Sequence, residues 1–437
     1  MAQPSIVAMI MAGGKGERLH PLTKERAKPA VPFGGKYRII DFVLSNFVNS
    51  NITAIYVLTQ FKAQSLLNHL RDGWQFGTLL EDHFIIPVPA QMRMGEEWYR
   101  GTADAVWQNV VFIERHQPEF VAVFGADHIY RIDVRHMVEF HRDKGADATV
   151  AAMQVPRDQS SLFGVIQVDE DWRITGFQEK PSPEEAVPIP NQPEMILSSM
   201  GNYLFNTGAL LEELAADAED PESDHDFGNT ILPKIHTERP LYAYDFRSNQ
   251  VPGRIKGEEV GYWRDVGTLF AYWQANMDLC TPDPVFNLYN RQWPLRTANY
   301  NDPPAKFVFD EEGRRGHAVN SIVSEGCILS GSRVTGSVLG RNVFVHSYAS
   351  IEESVIFDNV DIGRGCQIRR AIIDKNVQVP AGTKVGIDPT WDDERFFYDE
   401  AHQITVIPRW ETFEREKAVA RGLEIRKRAK ALTESTD

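Results

Sequence analysis

The sequence predicts an α/β protein in two parts, a doubly wound domain on a parallel sheet followed by a parallel β-helix. Three observations carry that expectation. Apolar runs of strand length alternate with helical stretches across residues 1–277. From Ala318 onward the helical stretches stop and aliphatic residues recur about every six positions. Between the two, residues 278–316 form a linker or interface segment, its Arg291–Asp310 part holding several prolines.

The first strand is Ile6 to Ala12, too short and too uniformly apolar for a surface helix. It runs into Gly13, Gly14 and Gly16, with Lys15 and Arg18 among them. Glycines let the backbone approach a ligand closely, and a strand–turn–helix start aims N–H groups at an anion. Neither the G-x-x-x-x-G-K-[ST] loop nor the dinucleotide G-x-G-x-x-G is present. Lys28 follows, presented by the stiff Pro29. The stretch Tyr37–Phe42 leads into a helix through Phe47, and Ile52–Thr59 is the next strand, with a helix from Lys62 to about Leu70. Ligands of doubly wound sheets sit at the carboxyl ends of strands, so the glycine turn belongs at the mouth of a site.

Further along, Trp98-Tyr99-Arg100-Gly101-Thr102 follows the polar run Gly95–Glu97, and the Thr102 hydroxyl is expected to cap a helix. Phe120–Phe124 is a central strand ending in Gly125-Ala126-Asp127, a carboxylate well set to hold Mg²⁺ over phosphates. His128 beside it is given no catalytic role. Strands follow at Thr149–Val155, Phe163–Ile166 and Ile174–Phe177. Gly164 stands where main chain can approach a ligand, and Glu179-Lys180-Pro181 offers an acceptor and a fixed cation. The proline-rich, acidic Pro181–Pro193 reads as a mobile surface loop. Ser198–Phe205 is another strand, with Ser199 at its start. His225-Asp226-Phe227-Gly228 precedes Ile231, and Tyr262–Thr268 brings a second carboxylate, Asp265, able to share one metal ion with Asp127.

In the second part, Ile322, Ile328, Val334, Val345, Ile351, Ile362 and Ile368 mark the hexads over residues 317–390. Units begin at Ser321, Ser337, Ser354 and Ala371, spaced by 16, 17 and 17 residues, or about three hexads per coil. Residues 391–437 form a tail: a strand at Ile404–Ile407 and a basic amphipathic helix from Phe413 to Leu432.

With 437 residues the chain has room for a large core, and its net charge of −15 argues against nucleic acid or an anionic membrane as partner. Three cysteines without CxxC spacing exclude a disulfide framework or zinc site as the expectation. No signal-like start and no membrane-length apolar run stands out, so cytoplasm is expected.

The segment Gly13–Pro29, GGxGxRLxPLTxxxxKP, resembles the signature of sugar-phosphate nucleotidyltransferases. Together with WYRGTADA (98–105), GADHIY (125–130), EKP (179–181), SSMGNY (198–203), HDFG (225–228) and YWRDVGT (262–268), the resemblance narrows to the bacterial ADP-glucose pyrophosphorylase family and spans nearly the whole chain. It implies a Rossmann-like catalytic domain, a left-handed β-helix, a homotetramer, Mg²⁺, and synthesis of ADP-glucose from ATP and glucose 1-phosphate. It implies ATP at Gly13, Gly14, Gly16 and Arg18, catalysis by Arg18, Lys28 and Asp127, and metal at Asp127 and Asp265. Glucose 1-phosphate would meet Tyr99, Gly164, Glu179, Lys180 and Ser199. It also implies small-molecule effectors, with Arg26 and Arg38 near a regulatory anion site that Arg369 or Arg370 would complete. Glu25 and Pro32 stand where a fructose-bisphosphate-responsive subgroup carries lysine and histidine, so fructose 1,6-bisphosphate is not the expected main activator. UDP-, dTDP- or GDP-sugar synthesis, a β-helix acyltransferase using His346, and a catalytically weak regulatory paralogue are the other readings.

Overall fold

The computed structural model describes residues 4–75, 83–93, 97–255, 257–311, 313–409 and 413. Its centre is the Ile6–Met11 strand, which pairs in parallel with Ala54–Thr59 on one side and Phe120–Gly125 on the other. Val7, Ala8, Met9 and Ile10 are all buried, as expected for a strand covered on both faces. Phe84–Pro89 extends the parallel half beyond Ala54–Thr59.

The nine-stranded sheet is mixed rather than wholly parallel. Met195–Asn206 runs antiparallel to Phe120–Gly125, and Gly164–Val168 forms a hairpin with Ile174–Glu179. Chain economy explains the hairpin: a short connection joins only antiparallel strands, whereas a parallel return needs a crossover of about a dozen residues. Helices Ile39–Asn49, Thr102–Trp107 and Val134–Lys144 cover the sheet. Thr102 caps nothing; it lies inside its helix, and its hydroxyl instead donates to Asp226 Oδ2 at 2.9 Å and accepts from the Phe227 N–H at 3.0 Å. The Pro181–Pro193 loop sends Ala186 and Ile189 into buried positions.

The second domain is a three-sided parallel β-helix. Ile322 pairs with Val338, Val338 with Val355 and Val355 with Ile372, in steps of 16, 17 and 17 residues. The serines opening each unit have a physical reason. Ser321, Ser337 and Ser354 each donate to the carbonyl two residues back at 2.7–2.8 Å, and each accepts the N–H of the next coil at 3.0–3.1 Å. One inward position shifts by a residue: Leu329, not Ile328, pairs with Val345 in the buried column. Helix Pro389–Arg395 and strand Ile404–Ile407 close the end, the latter pairing with Ala371–Ile373. Apart from Phe413 itself, the expected Phe413–Leu432 helix lies outside the described residues.

The two domains share one apolar core, in which Leu19, Leu22, Val31 and Phe33 pack with Val338, Val355, Phe357, Ile372 and Val406. The Arg291–Asp310 segment is bound along the Ile39–Asn49 helix: Trp293 Nε1 donates to Asn46 Oδ1 at 3.2 Å, and the Arg296 N–H donates to Ser45 Oγ at 2.9 Å. Among the described residues no helix is long and apolar enough to cross a membrane.

Candidate active site

The carboxyl ends of the parallel strands open onto a cavity of about 790 Å³. The glycine turn forms one wall. Gly16 has φ +63°, and a Cβ there would stand 3.0 Å from Lys28 Cβ, so glycine is needed for both conformation and space. Its carbonyl accepts the Thr23 hydroxyl at 2.8 Å, which holds the loop shape. Gly14 has nothing within 4 Å of a built Cβ, leaving its backbone open to a ligand.

Lys28 is buried and reaches the floor of the cavity, where Nζ donates to Asp127 Oδ2 and to Asp265 Oδ1, each at 3.0 Å. Burial alone would lower the Lys28 pKa, but the two carboxylates outweigh it and hold the ammonium above its ordinary value. Burial likewise pushes Asp127 upward, and the charges of His128 and Lys28 reverse this, holding its carboxyl well below the usual range. Arg18, 71% exposed, leans over Asp265 with Nη2 at 3.5 Å from Oδ2. A short antiparallel ribbon explains how residues so distant in sequence meet: His128–Tyr130 pairs with Trp263–Asp265, with His128 opposite Asp265.

Asp127, His128 and Asp265 offer ligand atoms within 4.8 Å of one another. Two carboxylates at the foot of the cavity are hard oxygen donors, so the set fits a divalent cation of the Mg²⁺ type. His128, given no role from sequence, is thus part of the floor: its Nδ1 lies 3.4 Å from Asp127 Oδ1, and its ring packs 4.9 Å from that of Trp263. Adjacency to Asp127 was its only signal.

On the opposite wall, Tyr99 lines the cavity and its hydroxyl accepts from Asn109 at 2.8 Å. Burial raises its pKa. Gln60 Oε1 accepts the Tyr99 N–H at 2.9 Å, a link that sequence gave no means of seeing. Gly164 and Glu179 are cross-strand partners, and a Cβ on Gly164 would stand 3.3 Å from Glu179 Oε2. Glu179 and Lys180 pair at 2.7 Å with both side chains exposed. Ser199 sits at a bulge in Met195–Asn206, where its Oγ accepts the Gly201 N–H at 3.3 Å, and Gly201 lines the cavity with Tyr203 and Asp226. These four residues, Gly164, Glu179, Lys180 and Ser199, therefore sit beside the cavity rather than in its wall.

The four arginines expected at a regulatory site have separate partners. Arg26, 2% exposed, is bound by Asp374 of the β-helix at 2.7 and 2.9 Å. Arg38 donates to the Ala30 carbonyl at 2.5 Å. Arg370 turns to Glu353, to the His402 carbonyl and to the Trp273 ring, and Arg369 is exposed on its strand. Lys375 instead is the β-helix cation near Arg38 and Arg26. Burial and those two charges lower its pKa to about 8, against the pull of Asp358 at 2.6 Å.

Residues 7–281 match the Nucleotidyl transferase family, the class that a glycine-loop cavity with paired carboxylates defines, and residues 303–407 match the GlmU-like C-terminal hexapeptide family. A glucose-1-phosphate adenylyltransferase of Thermus thermophilus is 55% identical over 94% of this chain and 99% of its own length. Those of Anaeromyxobacter sp. (53%; 92% and 98%) and Deinococcus radiodurans (50%; 94% and 100%) are similarly close. The chain belongs to the nucleotidyl transferase family, in its glucose-1-phosphate adenylyltransferase branch.

Proposed function

We propose that the protein joins ATP and α-D-glucose 1-phosphate to give ADP-glucose and diphosphate, supplying α-glucan synthesis of the glycogen type. The observation that carries this reading is the convergence of the Gly13–Gly16 turn, Lys28 and Asp127 on one cavity, with Asp265 bonded to Lys28 beneath it. The sugar-phosphate oxygen attacks the α-phosphorus in line as diphosphate leaves, a reaction that demands alignment and charge neutralisation more than covalent help. The N–H groups of Gly13, Gly14 and Gly16 and the exposed Arg18 receive the triphosphate. Lys28, already held as an ammonium between two carboxylates, offsets charge at the reacting phosphates. Asp127 and Asp265 would hold Mg²⁺, which when bound shields the phosphates and steadies the leaving diphosphate. Tyr99, Gly164, Glu179, Lys180 and Ser199 take glucose 1-phosphate, with Lys180 exchanging Glu179 for the sugar phosphate.

Regulation by small anions is part of the same reading. Arg38 and Lys375 supply the cations beside Arg26, which Asp374 already holds, and Arg369 or Arg370 would join only by moving. Glu25 forms an ion pair with Arg409, which puts an acid beside that cluster and disfavours fructose 1,6-bisphosphate as main activator. A homotetramer in the cytoplasm completes the proposal. Diphosphate release measured with ATP, UTP, dTTP and GTP against glucose 1-phosphate tests the reaction. A clear preference for a nucleotide other than ATP refutes it. The same assay across an effector panel tests regulation, and strong activation by fructose 1,6-bisphosphate at the lowest dose refutes that part.

A further inference from the structure

The segment around His225 has no part in the chemistry above, yet it is built with unusual care. His225 has φ +52°, and its side chain is 6% exposed. Such a conformation is uncommon for a residue with a Cβ and needs surrounding contacts to hold it. Those contacts are present. His225 Nδ1 lies 2.9 Å from Asp217 Oδ2, the Ser223 hydroxyl donates to Asp217 Oδ1 at 2.5 Å, and the His225 N–H donates to Ser223 Oγ at 2.9 Å.

Serine, aspartate and histidine together invite a nucleophilic triad, but the order of bonds excludes it. The serine is bonded to the carboxylate instead of the imidazole, so no base faces its hydroxyl. The cluster is also buried away from the cavity. Its output lies in the residues that follow. The His225 carbonyl accepts the Ala103 and Asp104 N–H groups at 2.9 and 3.4 Å, satisfying the start of helix Thr102–Trp107. The approach is so close that a Cβ on Gly101 would fall 2.1 Å from that carbonyl. Asp226 is thereby delivered to the cavity wall. Its Oδ2 accepts the Thr102 hydroxyl, and its Oδ1 accepts the Gly228 and Asn229 N–H groups at 2.8 and 3.0 Å. Phe227 packs on Tyr203, with ring centres 5.7 Å apart; both line the cavity, and Tyr203 is on the strand that carries Ser199.

We propose that His225 is a positioning residue for the sugar side of the cavity. Held by Asp217 and Ser223, it sets Asp226 and Phe227 against Thr102 and so shapes the wall that meets the hydroxyls of the sugar phosphate. This rests on the reading that the cavity takes ATP and glucose 1-phosphate. A carboxylate oxygen has lone pairs to spare beyond the bonds Asp226 makes, so it remains able to accept from a sugar hydroxyl.

Steady-state kinetics of four proteins test the assignment: wild type, His225→Ala, His225→Asn and Ser223→Ala. Folding is checked by circular dichroism. His225→Ala is expected to raise KM for glucose 1-phosphate at least tenfold while KM for ATP changes less than twofold. His225→Asn keeps tolerance for positive φ and an amide donor toward Asp217, and is expected to restore KM to within threefold of wild type. Ser223→Ala removes one bond of the cluster and is expected to raise the same KM two- to fivefold. It decides the matter if His225→Ala does not fold. Unchanged KM for glucose 1-phosphate in the folded variants overturns the proposal, as does an equal rise in both KM values. Absence of ADP-glucose formation by the wild type would instead overturn the proposed function.

Discussion

Replacing Asp374 with alanine should cost the protein about 3–4 kcal/mol of stability and loosen the segment that carries Lys28. Arg26 and Asp374 are 2% and 1% exposed, joined by two bonds of 2.7 and 2.9 Å, and 348 residues apart in sequence. Removing one partner of such a pair leaves an unpaired buried charge, a loss of about 3–5 kcal/mol. The Lys375 N–H, which donates to Asp374 Oδ1 at 2.6 Å, loses its acceptor too, at about 1 kcal/mol. Relaxation of the unpaired guanidinium toward water returns part of this; the Phe357 ring, 5.9 Å from it, is there with or without Asp374 and changes nothing. The net stays near the lower end of the range. Because Arg26 is two residues before Lys28, turnover should fall as well. The assay is urea unfolding of the full chain followed by tryptophan fluorescence, analysed for separate transitions of the two domains. Arg26→Met alone, Asp374→Leu alone and the two combined form a double-mutant cycle, in which the double variant should recover most of the loss, since apolar replacement of a buried pair is often neutral. A cost below about 1 kcal/mol for Asp374→Ala, or additive effects in the cycle, would refute the reasoning.

Asp127→Asn should fold normally, because Lys28 keeps Asp265 at 3.0 Å, while turnover drops by about a thousandfold, or roughly 4 kcal/mol of barrier. Near-normal diphosphate release from the folded variant would sink the metal assignment. Asp392 is buried and its pKa is pushed up to about 6 by burial, so the folded state holds a proton that the unfolded state gives up nearer pH 4. Stability should therefore fall as pH rises from about 4 to 6, by about 3 kcal/mol. Asp392→Asn should flatten that slope in thermal melts across the range, and an unchanged slope would count against it. Lys375, lowered to about 8, should lose its charge as pH rises through that value. Binding of a small anionic effector, read by calorimetry, should weaken between pH 7 and 9 in the wild type, whereas Lys375→Arg should bind almost evenly across that range.

Much of the site was legible because its chemistry is local. The glycine turn follows a central strand and must face the strand ends, and Asp127 stands one turn beyond the next central strand. Asp265 was expected to join Asp127, but the means of joining was not visible. Only the pairing of His128–Tyr130 with Trp263–Asp265 brings it there. The same ribbon draws in His128, which has no periodicity or spacing to mark it. Asp226 and Gln60 were passed over for a like reason, since each owes its place to a partner far along the chain: Thr102 for one and Tyr99 for the other.

The amino-acid sequence alone determined the two-part fold, the coil length of the β-helix and the glycine loop at the strand ends, because each is written in short-range periodicity or in the conformational needs of glycine. Tertiary structure alone decided the rest. The sheet was expected to be parallel and is mixed, because buried parallel and antiparallel strands are equally apolar and only pairing shows direction. Leu329 rather than Ile328 faces inward because cross-coil register sets the face. Arg26 is spent on Asp374, leaving Lys375 as the β-helix cation near Arg38, because a charge's role depends on which opposite charge is buried against it, and that partner lies in another domain.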